Sequence, residues 1–131
     1  MSYAAQMSSY REMELHAASP ERLVVFTFEQ LVVNLERARI AMERKDLELR
    51  VTALRRARGL VGELLATLDF EKGGAIATQL ADLYQYMMYE LVDIGQRGDI
   101  VTMKKLVNIA TSLRDGFAGA ASQLTGLKKS A

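Results

Sequence analysis

The chain has no cysteine, one proline and one histidine in 131 residues. Without cysteine there is no disulfide, no thiol nucleophile and no thiolate metal site, and a reducing compartment is permitted. No run of about 18 apolar residues occurs, so nothing reads as a membrane span. The opening "MSYAAQMSSYREMEL" lacks the basic start and apolar centre of a secretory signal, so the expected location is the cytosol. Charge of one sign is also scarce: 17 basic residues against 16 acidic give a net charge of +1. That balance argues against a dedicated nucleic-acid binder, which needs a local excess of Lys and Arg for phosphate contacts. The densest basic run, "LRRARG" at residues 54–59, has no aromatic residue interleaved and reads as the solvated face of a helix.

Chemistry-bearing constellations are missing as well. His16 stands alone close to a helix start, with no nucleophile paired to it. The segment "EKGG" ends without the Lys-Ser/Thr of a phosphate loop and follows no strand, so Gly73-Gly74 is expected to be a corner between helices. Asp82, Glu90 and Asp93 lack the Glu-x-x-His repeats that build a metal site inside a bundle. "RGD" at residues 97–99 reads as another corner, with Gly98 suited to the left-handed position after a helix. No catalytic residue, cofactor or metal is expected.

What the sequence does hold is helical periodicity. Half the residues are apolar and a quarter charged, the balance of a soluble globular chain large enough for a single core. Ser19 followed by Pro20 marks a helix start, the serine oxygen capping an orphan N–H and the proline needing none. From there Val24, Phe28, Leu31, Leu35, Ala38 and Met42 recur at three- and four-residue spacing, the pattern of a core stripe. Asp46 can cap a second helix with the stripe Leu47, Val51, Leu54, Val61, Leu65 and Leu68. Ile76, Leu80, Leu83, Met87, Leu91 and Ile94 mark a third, and Met103, Leu106, Ala110, Leu113 and Phe117 a fourth, capped by Asp99. No strand-like alternation appears. The expected fold is all-α: an antiparallel up-down four-helix bundle over residues 19–118. Residues 1–18 form an N-terminal arm, either a short helix or extended, and residues 119–131 a flexible tail.

The two middle helices carry more apolar surface than one bundle seam uses. Leu49, Ala53, Ala57, Leu60 and Leu64 widen the second helix's arc to roughly 200° at 100° per residue. Ala77, Ala81, Tyr84, Met88 and Val92 do the same for the third. Two readings fit. The flanks complete a wide core or meet in a structural homodimer, or they form a groove that accepts an amphipathic helix of a partner. Alanines would let a guest helix approach, methionine adapts to it, and tyrosine offers a ring with a wet hydroxyl. Phe26, Val33 and Ile40 form a secondary stripe on the first helix, which is either deep core or a second contact surface.

Two segments carry a family resemblance. "AASPERLV" at residues 17–24 and "LLATLDFEKGGAIATQLADLYQYM" at residues 64–87 are similar to the flagellar export chaperone FliS, in that order and spacing. Tyr10 fits the upstream tyrosine, and the likeness spans residues 10–118. Two places depart: Thr27-Phe28-Glu29-Gln30 replaces the usual Leu-Tyr-Asp-Gly, and Met88-Tyr89-Glu90 stands where a basic pair often follows the YM. The resemblance implies a cytoplasmic chaperone without enzymatic activity that binds newly made flagellin. Its client would be flagellin's C-terminal region, disordered alone and helical when wrapped on the chaperone. The complex would block premature polymerisation and be delivered to the flagellar type III export gate. It also implies that the arm around Tyr10 lies over part of the client surface when the client is absent. The expected client contacts are therefore Tyr10, Leu49, Ala53, Ala57, Leu60, Leu64, Ala77, Ala81, Tyr84 and Met88.

Overall fold

A computed structural model describes residues 19–130, with side chains as far as Leu124. Four helices follow one another: α1 (Pro20–Arg44), α2 (Leu47–Ala66), α3 (Phe70–Arg97) and α4 (Ile100–Ser130). Each start has a capping side chain that accepts an otherwise orphaned N–H. Ser19 Oγ accepts from the Arg22 amide at 3.2 Å, Asp46 Oδ1 from Leu49 at 3.1 Å and Asp69 Oδ1 from Lys72 at 3.0 Å. Asp99 is the most heavily used cap. Its carboxylate accepts from the Thr102 hydroxyl at 2.7 Å and from the amides of Val101 and Thr102, which hold it below the usual aspartate range.

The helix ends are equally explicit. Lys45 takes the left-handed conformation (φ 57°) after α1, and the Asp46 amide reaches back to the Ala41 carbonyl at 2.9 Å. Gly98 (φ 71°) closes α3 as the sequence predicts, its N–H on the Ile94 carbonyl at 2.8 Å. Three corners of two or three residues then force successive helices to run antiparallel. Neighbours pack in a ring, α1 with α2, α2 with α3, α3 with α4 and α4 with α1, while the backbones of diagonal pairs stay apart. This is the expected up-down bundle. The α3–α4 seam is the most sparsely packed of the four.

Phe28, Leu31, Leu35 and Ala38 from α1 meet Leu54, Val61, Met87, Leu91, Ile94, Met103 and Leu106 in the core. Removing each such side chain from water contributes about 1.5–3 kcal/mol for a Leu, Ile, Phe or Met, so the interior stripe supplies most of the fold's driving force. Phe28 stacks on Phe117 (centroids 5.2 Å apart) and tilts against Tyr84 (6.2 Å), joining α1, α4 and α3. The stripes foreseen on α1 and α4 are the ones buried or half-buried. Of the secondary α1 stripe, Phe26 and Ile40 are half-buried and Val33 is exposed, so neither reading describes all three.

Three expectations are corrected. Gly73-Gly74 is not the corner: the chain turns at residues 67–69, and Gly74 sits one turn inside α3 at φ 51°, ψ −126°. Only glycine enters that region readily, so the pair works as a kink within the helix. The C-terminal segment is not a loose tail, because α4 continues to Ser130 and Ala121 is buried. On the two middle helices the predicted stripes are buried or half-buried from Leu54 and from Leu80 onward, but their first members are not. Leu47 (67 % exposed), Val51 and Ile76 (67 %) face solvent, while Ala53, Ala57, Ala77, Ala81 and Tyr84 are buried. Small residues at buried positions let the protein's own helices approach closely, which turns the bulkier neighbours outward.

Candidate functional site

An apolar cleft lies at the end of the bundle where α1 begins, α2 ends and α3 starts. Its floor is Leu64, Ala77 and Tyr84, and its walls are Val24, Leu68, Ile76, Leu80 and Phe117. The cleft holds about 470 Å³, within the roughly 300–1,000 Å³ of typical binding pockets. Two further clefts open beside it. One of about 380 Å³ runs between α1 and the end of α2, lined by Pro20, Leu23, Val24 and Ala66 among others. Another of about 340 Å³ lies between α1 and α4, lined by Val24, Phe117, Ala121 and Leu124. Val24 lines all three, so they form one branched apolar surface around the first turns of α1.

This end is open for identifiable reasons. The Gly74 kink redirects the first turn of α3, and the sparse α3–α4 seam leaves Ile76 and Leu80 without a full complement of neighbours. Charges stay on the rim: Glu21, Asp69 and Lys72. Tyr84 is 1 % exposed, and burial pushes its phenol up to about 12, so the ring offers a neutral apolar face with a hydroxyl donor. Such a surface can hold aliphatic and aromatic side chains of another chain, with rim charges setting direction. It offers no nucleophile paired with a base. Among the described residues no three His, Cys, Asp or Glu side chains cluster closely enough to hold a metal ion. Nor is any described helix long and apolar enough to cross a membrane.

The predicted contact residues divide. Leu64, Ala77 and Tyr84 come together at the cleft floor. Ala53, Ala57 and Ala81 are buried between helices, which corrects their expected place on an open flank. Leu49 is exposed on the first turn of α2, at the opposite end of the bundle from the clefts. Met88 is half-buried against the core, and Leu60 lies in the α1–α2 seam. Tyr10 is outside the described residues. Sequence reasoning missed Val24, Leu68, Ile76, Leu80 and Phe117 by assigning them to interior stripes. Alanines at i, i+4 on α2 and again on α3 were the available signal, since paired small residues mark the face that another helix approaches.

Fold and cleft together define the class: an all-helical bundle with a branched apolar surface at one end. Comparison with known proteins makes this specific. The family model of the flagellar protein FliS matches residues 2–124, so the chain belongs to the FliS family. It is similar to the flagellar secretion chaperone FliS of Salmonella typhimurium, with 32 % identity over 107 residues, covering 81 % of this chain and 79 % of that one. It is also similar to the flagellar secretion chaperone FliSB of Pseudomonas aeruginosa (29 % identity; 86 % and 93 % covered). The Campylobacter jejuni FliS shows 27 % identity, with 84 % and 86 % covered.

Proposed function

We propose that this protein is a cytosolic export chaperone that binds the C-terminal segment of newly made flagellin, prevents its premature polymerisation and delivers it to the flagellar type III export gate. It does so by binding alone, without catalysis or cofactor. Family membership supports the chaperone role. The observation that carries the binding mode is the apolar surface converging on Val24 at one end of the bundle. An apolar helix face laid there would cover the side chains that otherwise drive self-association. Coupled folding of such a segment buries on the order of 1,000–3,000 Å² at a cost of a few kcal/mol in ordering, which keeps a cargo complex firm and reversible.

Leu64, Ala77 and Tyr84 form the floor in this reading, with Ile76 and Leu80 as the walls most open to the client. Leu49 and Met88 remain candidates for a second stretch of contact nearer the other end of the bundle, and Tyr10 remains one through the family resemblance. Calorimetry with a flagellin C-terminal peptide tests the assignment. Ile76→Asp and Leu80→Asp should each weaken capture about tenfold or more, equivalent to at least ~1.4 kcal/mol, with the helical circular dichroism unchanged. Wild-type affinity in both variants would move the site elsewhere. A second reading, a structural homodimer, is favoured by Leu47, Val51 and Val92, exposed apolar side chains that the clefts do not use. Light scattering across dilution separates the two: a dimer that persists and ignores flagellin peptide supports the rival.

A further inference from the structure

The α1–α2 seam carries a different kind of surface. Midway along it lies a groove of about 360 Å³ lined by Gln30, Asn34, Arg37, Arg56, Gly59 and Glu63, with Leu60 beside them. Its lining is more polar than that of the clefts at the bundle end. Arg39, Arg97 and Arg114 are held by carboxylates of their own neighbourhood, whereas Arg37 and Arg56 take part in none of these pairs. Two exposed cations on facing helices therefore meet at one groove that holds a single carboxylate, Glu63, and among the described residues neither is in an ion pair.

Two further observations point outward from the same place. Asn34 is 4 % exposed; its Nδ2 donates to the Gln30 carbonyl at 2.8 Å, but its Oδ1 has no partner. A buried acceptor left unpaired is costly, and native structures normally supply a partner. Gly59 is the other. It sits in the interior of α2, where glycine disfavours helix, and a Cβ built on it would meet nothing within 4 Å. Nothing in the bundle's own packing requires a glycine there, while a second backbone approaching the groove would.

We propose that this groove docks an acidic segment of a partner protein, with carboxylates on Arg37 and Arg56, a donor for Asn34 Oδ1, and the partner's backbone close over Gly59. Arginine favours carboxylates through its planar fork of donors. A nucleic-acid strand fits less well, because Glu63 lies in the same groove and no aromatic side chain lines it for stacking. The groove meets the α1–α2 branch of the apolar surface at Glu63, but Gln30, Asn34, Arg37, Arg56 and Gly59 line none of the clefts, so either assignment can fail without the other.

The test is fluorescence anisotropy on the full chain with three labelled probes: an alanine-rich helical peptide bearing Glu pairs at i, i+4 spacing, its Gln counterpart, and a short oligouridine. The Glu peptide should bind at least about tenfold more tightly than the Gln peptide, and weaken as salt rises. Arg37→Glu/Arg56→Glu should remove about tenfold or more of that affinity, and Arg55→Glu, an exposed arginine outside the groove, should change it less than about twofold. Gly59→Leu should fill the groove and abolish binding while the melting temperature holds or rises, a split that a merely structural role would not give. No Glu-peptide binding at millimolar concentration would overturn the proposal, as would binding indifferent to the double variant. Oligouridine binding more tightly than the Glu peptide, and lost in the double variant, would overturn it in favour of nucleic acid.

Discussion

The two ends of the bundle are built on different principles. At the end holding the α1–α2 and α3–α4 corners, each helix is closed and the next one capped at once. Lys45 and Gly98 close their helices in left-handed conformations, Asp46 and Asp99 cap the next ones, and Arg50 donates to the carbonyls of Ile94 (2.8 Å) and Gly95 (3.0 Å). The core beneath is sealed, with Ala41, Leu91, Ile94 and Met103 fully buried. At the other end Ile76 stands exposed, Val24, Leu80 and Phe117 are only half covered, and Gly74 breaks the helical path. In the proposed reading the open end carries the client surface and the closed end contributes chiefly stability.

The largest effects should follow that division. Leu91→Ala, at the sealed end, should cost about 2–5 kcal/mol by lost burial and the cavity left behind, read from denaturant midpoints. Ile76→Ala, at the open end, should change the same midpoint by about 0.5 kcal/mol or less, since the side chain is already largely in water. Equal costs at the two positions would erase the distinction. Gly74→Ala comes next. A side chain at φ 51°, ψ −126° is strained, so a loss of about 1–3 kcal/mol is expected, with reduced flagellin-peptide capture because the first turn of α3 borders the cleft. A neutral Gly74→Ala would show that α3 can straighten, and that the kink is not what opens this end.

Most of the closed end was legible in the sequence and most of the open end was not. Asp46, Gly98 and Asp99, like Ser19-Pro20 at the open end, are local signals whose physics acts within four residues, so capping and corner chemistry could be read directly. The stripes of α1 and α4 were legible because large apolar residues occupy their buried positions. On α2 and α3 the buried faces are made partly of alanine, and an alanine is equally consistent with a core position or with room for a guest. Only the packing of the two helices decides which, and it places Ala53, Ala57, Ala77 and Ala81 inside. Gly73-Gly74 misled for a related reason. A glycine pair says that the backbone departs from ordinary helix, but not whether the chain turns there or merely bends.

Arg50 tests how the sealed end is held. Its guanidinium ties α2 to the last carbonyls of α3 and rests 3.4 Å from the position a Cβ on Gly98 would take. Arg50→Met keeps the apolar stem and removes the charge-assisted bonds, so a loss of about 1–2 kcal/mol is expected. Hydrogen exchange should accelerate at the end of α3, while protection near Tyr84 and binding of the flagellin peptide stay as in the wild type. Faster exchange spread evenly over α3 would mean that the two ends are coupled and unfold together.

The smallest effect concerns Tyr84, which lies in the floor of the open end. Burial raises its phenol to about 12 from an ordinary value near 10. Between those values the unfolded chain has released the proton and the folded chain still holds it. The unfolded state then binds fewer protons, so stability falls as pH climbs from about 10 toward 12 and is unaffected below that window. Lysines titrate in the same range, so the comparison that isolates Tyr84 is wild type against Tyr84→Phe. The wild-type denaturant midpoint should decline more steeply across this interval, and the slopes should match at neutral pH. The side chain is already 1 % exposed, so flagellin peptide seated on the cleft should leave this difference unchanged. Equal slopes in wild type and Tyr84→Phe would show that the phenol is not held in its buried place at alkaline pH.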